Sequence, residues 1–223
     1  MKRIILVSNT SWSLYNFRAN VIKLLLSKGF EVICIANYDE YSERLAACGA
    51  TFISSSVENR GKNPITDYRY FVFLYRLYKK LNPAFILHYT IKPNIYGSMA
   101  AKKANISSVA VVSGAGYVFL HENFLTTFTK RLYANAAKQC TEMWFINEED
   151  QQMFVREKIV LANKTKILPG EGINTNLFRR SSPYPADNKE FIFLLTGRML
   201  WDKGIGVYVE AAKIIKSKYP SVK

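Results

Sequence analysis

Histidine and acidic side chains are scarce in this sequence of 223 residues, which holds two histidines and 17 Asp or Glu against 31 Lys or Arg. No acidic or His/Cys cluster has ligand spacing, which argues against a protein-bound metal. The three cysteines, Cys34, Cys48 and Cys140, are odd in number and lack a C-x-x-C pair, so neither a disulfide framework nor a thiolate metal site is expected and a reducing compartment fits. No apolar run reaches membrane-spanning length, and the basic, apolar start MKRIILVSN loses its apolar character after Val7, too soon for a signal sequence. Any membrane contact is therefore expected at the surface. The loop NTSWS after the first apolar run is not a G-x-G-x-x-G turn, which argues against nicotinamide or flavin, and no cofactor is expected. Repeats and low-complexity tracts are also missing.

What is present is a core and a charge. Hydrophobic residues make up 49%, ordinary for a globular fold, and the formal net charge is +14. Such a surplus points to an anionic partner: nucleic acid, an anionic membrane face or phosphorylated small molecules. No nucleic-acid motif is visible, so nucleic acid ranks last.

Apolar runs and amphipathic stretches alternate along the chain. Strands are expected at Arg3 to Ser8, Glu31 to Ala36, Thr51 to Ile53, Phe85 to His88, Ser108 to Val112, Glu142 to Phe145 and Thr165 to Leu168. Between them the spacing predicts helices: one with Phe17, Val21, Leu24 and Leu25 toward the core, then Tyr41 to Cys48, Asp67 to Leu81, Asn94 to Ala104, Leu125 to Lys138 and Glu148 to Lys158. In the third of these helices Tyr70, Leu74, Leu77 and Leu81 form the apolar face, while Arg69, Arg76 and Lys80 share another side with Tyr68 and Tyr75. That basic side is either solvated or a contact for an anionic membrane surface. The polar stretch Ser54 to Thr66 reads as a loop. The alternation predicts an α/β, Rossmann-like, doubly wound parallel sheet with ligand loops at the carboxyl ends of its strands.

Near the end, FIFLLTGRMLWDKGIGVYVEAA reads as a buried strand (Phe191 to Thr196), a turn, and a helix with Ile205, Val209, Ala212 and Ile215 on one side. Arg198 and Lys203 flank the start of that helix, where free N–H groups and the dipole favour an anion. A surface Arg and Lys on any such turn is the plain alternative. GRMLWDKGIGVYVEAA resembles the motif opening the second domain of family-four, retaining glycosyltransferases of the GT-B fold. SLYNFR, HYTIKPNIYGSMAAK, SGAGYVF, FINEEDQQMF and LPGEGINTNLF are similar to successive motifs of the branch that builds bacterial capsule, O-antigen and N-linked glycans.

The resemblance implies an acceptor-binding Rossmann-like domain over 1–168, a linker over 169–190 and the start of a donor-binding domain over 191–223. Arg198 and Lys203 would hold the diphosphate of a nucleotide-sugar, commonly a UDP-sugar, and stabilise charge on the leaving group. Gly172 would approach the donor. Acceptor contacts would come from Arg18, Lys92, Asn94, Gly114, Gly116 and His121. For four of these a plain role competes: a helix-surface Arg18, an N-cap Asn94, a tight turn at Gly114 and Gly116. His88 reads as hydrogen-bonded core. The family's pair of glutamates spaced eight apart would lie beyond Lys223.

The implied function is transfer of a sugar to a lipid-diphosphate-linked glycan, peripheral to the inner face of the cytoplasmic membrane, with this stretch alone inactive. The alternative is a non-catalytic membrane- or subunit-binding module that needs a partner chain.

Overall fold

The computed structural model describes residues 1–55, 63–115, 119, 124–176, 178–179 and 191–223. Gly116 and His121, with Arg60 and Lys62 of the polar loop, lie outside the described residues.

Seven strands form one parallel sheet: β1 (Arg3–Thr10), β2 (Glu31–Asn37), β3 (Thr51–Ser54), β4 (Phe85–Tyr89), β5 (Ser108–Val112), β6 (Glu142–Phe145) and β7 (Thr165–Ile167). Their order is β3-β2-β1-β4-β5-β6-β7, so the chain winds outward from β1, then returns to its other side. The apolar runs explain the arrangement, because Ile4–Val7, Val32–Ala36 and Val109–Val112 are buried throughout, as strands covered on both faces must be.

The helices α1 (Ser11–Ser27), α2 (Ser42–Ala47), α3 (Pro64–Leu81), α4 (Ser98–Lys103), α5 (Phe124–Gln139) and α6 (Glu148–Arg156) fill the crossovers. Ile4, Leu6, Val32 and Cys34 pack with Leu14 and Ile22 of α1 and Leu45 of α2. On the opposite face, Ile5, Val7, Ile33 and Ile35 meet Tyr70, Leu74 and Tyr78 of α3 and Ala100 and Ala101 of α4. Caps set several helix starts: Thr10 accepts from the Ser13 N–H, Asn63 from Ile65 with Pro64 following, and Asn147 from Asp150. Left-handed Asn82 (φ 42°), followed by Pro83, ends α3.

Three expectations change. The buried face of α1 is Ser11, Leu14, Arg18 and Ile22, whereas Phe17 is 38% and Leu24 58% exposed. Leu14 and Ile22, with the stem of Arg18, fit against the sheet and Leu25 packs partly buried beside them, while Phe17 and Leu24 face outward. The stretch expected as one helix over Asn94 to Ala104 opens with a π-helical turn, Pro93–Gly97, before α4. In α3 it is Tyr78 that is fully buried, while Leu77 and Leu81 are only partly so.

Two compact units divide the chain, Met1–Asn174 and Thr175–Lys223. The second contains a short turn, Trp201–Lys203, and helix α7 (Ile205–Lys218). Phe191 to Thr196, expected as a buried strand, is neither: Leu194 is 81% exposed, and the segment's backbone bonds are Phe193 N–H to the Lys223 carbonyl and Lys223 N–H to the Phe191 carbonyl. A strand forms between partner strands, and none is found beside it among the described residues.

Burial pushes the Cys34 thiol up to about 12 and the Cys140 thiol up to about 11, which keeps both protonated and unreactive. No described helix is long and apolar enough to cross a membrane.

Candidate functional site

The parallel winding reverses between β1 and β4, and in such sheets ligands bind outside the carboxyl ends at that reversal. Val7 pairs with His88, and beyond that pair the two strands part, β1 continuing through Ser8 to Thr10 and β4 through Tyr89 toward Lys92. The two exits are tied together, since the Asn9 N–H donates to Thr90 Oγ1 at 3.2 Å. Thr90 holds φ 70°, a left-handed conformation costly for a β-branched residue.

Arg18 lies over this edge. Its guanidinium carbon is 4.4 Å from the centroid of the Tyr89 ring, and Nη2 donates to Oε1 of Glu171. The side chains are 10% and 18% exposed, so this is an ion pair largely withdrawn from water. Burial pushes the Tyr89 hydroxyl up to about 12 against the pull of Arg18, so the ring meets the guanidinium as a neutral phenol. Arg18 is thus a fixed, partly buried cation at the sheet edge, and the helix-surface alternative is excluded.

Lys92 is also at the edge, but it is committed elsewhere. Its Nζ donates to Oδ1 of Asp67 at 2.6 Å, and the Tyr96 hydroxyl donates to Oδ2 at 2.8 Å. Asp67 therefore joins the first turn of α3 to the exit of β4, a role the sequence reading missed. Asn94 is buried and caps nothing: its Nδ2 donates to the Val111 carbonyl at 2.9 Å, tying the π-helical turn to β5. Gly114, just past β5, holds φ 153°, and a Cβ there would meet nothing within 4 Å. The backbone next to it is anchored by the Ala115 N–H, which donates to Asp150 Oδ2. Gly172 holds φ 69° with open space around it.

His88 is fully buried core. Nε2 shares a hydrogen bond with the Tyr78 hydroxyl at 3.0 Å, and burial lowers the imidazole to about 3.

In the second unit Arg198 and Lys203 are exposed and flank the start of α7, where Gly204 (φ 73°) turns the chain into the helix. Among the described residues no three His, Cys, Asp or Glu side chains gather in a metal-binding group.

The segment that carries α3 and α4 is strongly basic. Between Asn63 and Ser107 the bases are Arg69, Arg76, Lys79, Lys80, Lys92, Lys102 and Lys103, and the single acid, Asp67, is taken by Lys92. Tyr68, Arg69, Val72, Phe73, Arg76, Leu77 and Lys80 line a shallow groove along α3.

Comparison with known proteins places this geometry. A transferase from Campylobacter jejuni, N,N'-diacetylbacillosaminyl-diphospho-undecaprenol alpha-1,3-N-acetylgalactosaminyltransferase, is 29% identical over 97% of this chain and 61% of its own length. An Escherichia coli UDP-Gal:alpha-D-GlcNAc-diphosphoundecaprenol alpha-1,3-galactosyltransferase is 27% identical over 68% of this chain and 41% of its own. The chain thus spans about three-fifths, or less, of the curated relatives it matches. Anabaena HepE in complex with UDP-glucose superposes with a TM-score of 0.71 at 14% identity, covering all of this chain and 59% of that one. A glycosyltransferase from Rickettsia africae gives 0.68 at 18%, with coverage of 97% and 58%. A UDP-N-acetylglucosamine 2-epimerase gives 0.60 at 15%, with coverage of 100% and 62%, so the fold alone does not choose between transfer and epimerisation. The choice of family comes from sequence: the Glycosyl transferase 4-like profile matches residues 3–147, and the chain belongs to that family.

Proposed function

We propose that this sequence belongs to an enzyme that transfers a sugar from a nucleotide-sugar of the UDP type to a lipid-diphosphate-linked glycan at the inner face of the cytoplasmic membrane. The observation that carries the reading is similarity across 97% of the chain to a transferase whose acceptor is a diphospho-undecaprenol-linked sugar. A second relative is named for the same class of acceptor.

The first unit supplies Arg18 for the acceptor side. Its guanidinium sits at the carboxyl edge, in the planar form that binds phosphate oxygens in pairs. In the second unit, Arg198 and Lys203 act on the donor. As the bond between the anomeric carbon and the nucleotide breaks, charge grows on the leaving diphosphate, and fixed cations lower the barrier by meeting it there. The helix start at Gly204 adds N–H donors of the same sign. Neither cation exchanges a proton.

The basic side of α3 and α4 brings the unit to an anionic lipid surface, where its acceptor is anchored.

The test is a transfer assay on an enzyme with this sequence at the full length of its relatives, with a panel of UDP-sugars and an undecaprenyl-diphosphate-linked sugar. Transfer is expected, falling about 100-fold or more in Arg198→Ala and Lys203→Ala, the loss associated with removing one charge-stabilising donor. Near-normal rates in both variants would refute the roles given to them. Transfer appearing only after a second polypeptide is added would favour a partner-dependent module.

A further inference from the structure

We infer that Glu171 is an internal anion that holds the Arg18 site in the ligand-free chain, and that a phosphate or diphosphate group enters only by exchanging with it. The inference rests on Arg18 as the acceptor-phosphate contact and adds the residue that competes for it.

Arg18 and Glu171 are 153 residues apart in sequence, yet their side chains pair where both are mostly shielded from water. A guanidinium withdrawn to that depth needs a counter-charge, and leaving it alone would cost more than the pair gains. Glu171 supplies that charge when nothing else does. A carboxylate and a phosphate present similar oxygens to the planar fork, so the Glu171 oxygen marks where a phosphate oxygen would sit.

Two further features favour exchange over a fixed strut. Glu171 is flanked by Gly170 (φ 90°) and Gly172 (φ 69°), and a Cβ at either would meet nothing within 4 Å. Glycines in open space on both sides let the backbone rotate the carboxylate away without unpacking the core. At the neighbouring β1–β4 exit, Asn9 Oδ1 is buried without a hydrogen-bond partner and Thr90 is strained at φ 70°. A strained residue beside an unpaired polar atom marks an edge shaped for something besides folding.

The site lies just before Thr175, where the second unit begins. Leu168 stays packed on the core with its N–H on the Phe145 carbonyl, so releasing Glu171 frees the segment 170–174 that follows it.

Calorimetric titration of the Met1–Lys223 chain with inorganic diphosphate at constant ionic strength tests this, Arg198 and Lys203 being replaced by Ala throughout so that the donor-side cations do not take up the probe, with hydrogen exchange of segment 170–174 read in parallel. Glu171→Gln removes the competitor's charge, so diphosphate is expected to bind about tenfold tighter than in the wild type, the equivalent of one charge-assisted hydrogen bond. Arg18→Lys, which keeps the charge but loses the fork, should weaken binding and cancel the gain when combined with Glu171→Gln. In the wild type, diphosphate should speed exchange at 170–174. Equal or weaker binding by Glu171→Gln, or exchange unaffected by diphosphate, would overturn the inference. Undiminished binding by Arg18→Lys would place the anion elsewhere and overturn it too. None of these results depends on sugar transfer, so failure of the transfer assay and failure of this exchange are separate outcomes.

Discussion

Gly97 and His88 show how closely the π-helical turn is fitted to the sheet. A Cβ at Gly97 would lie 2.4 Å from Cδ2 and 2.6 Å from Nε2 of the imidazole, whose ring is held by the Tyr78 hydroxyl. Neither partner can yield, because both are fully buried. Gly97→Ala should therefore destabilise the first unit by about 1–3 kcal/mol, as overpacking of a filled core does, visible as a lower urea midpoint with an unchanged slope. An unchanged midpoint would mean that the turn can shift away from the ring. His88 is legible as core because it lies near the end of an apolar strand, but the contact that makes glycine necessary at 97 joins positions nine apart on different elements. The pairs Arg18–Glu171 and Lys92–Asp67 were hidden for the same reason: each is a meeting of distant segments that no local spacing records.

Most element positions were legible because the apolar runs are long and the turns between them carry polar caps. The face of α1 was not, because apolar side chains lie on both sides of it. Phe17 and Leu24 are exposed although the spacing puts them on the core side, whereas Leu14 and Ile22 reach the sheet, Arg18 accompanies them and Leu25 packs at their margin. The charges of α3 lie where its periodicity puts them, with Arg69, Arg76 and Lys80 exposed, and folding packs α4 beside that helix. Lys103 lies 5.2 Å from the Tyr75 ring centroid and 5.7 Å from that of Phe71, which brings the basic end of α4 against the aromatic side of α3. At about 1 kcal/mol per basic residue near an anionic bilayer, replacing Arg69, Arg76 and Lys80 together with Ala should weaken binding to phosphatidylserine-containing vesicles by about 100-fold. Co-sedimentation at two salt concentrations checks it, since the wild-type affinity should also fall as salt rises. Equal binding by the triple variant would remove α3 as the docking face.

The two units differ in how much of themselves they bury. In Met1–Asn174, three clusters of buried side chains lie on the two faces of a seven-stranded sheet. In Thr175–Lys223, α7 has no buried residue, and Met199, Trp201 and Val207 are exposed around an apolar groove. A helix of 14 residues without a packed face is marginal in water, because nucleation is costly and most helical stability comes from tertiary contact. The expected outcome is that the fragment Met1–Asn174 unfolds cooperatively, with the same midpoint as Met1–Lys223. In the longer chain the amides of α7 should exchange about 100-fold faster or more than those of β1, whose opening requires loss of the whole sheet, since local opening costs far less than global unfolding. Slow exchange throughout α7 would mean that its exposed face is covered in solution. The Arg198 and Lys203 cations would then be carried on a formed support in this chain, and donor binding could be measured on it directly.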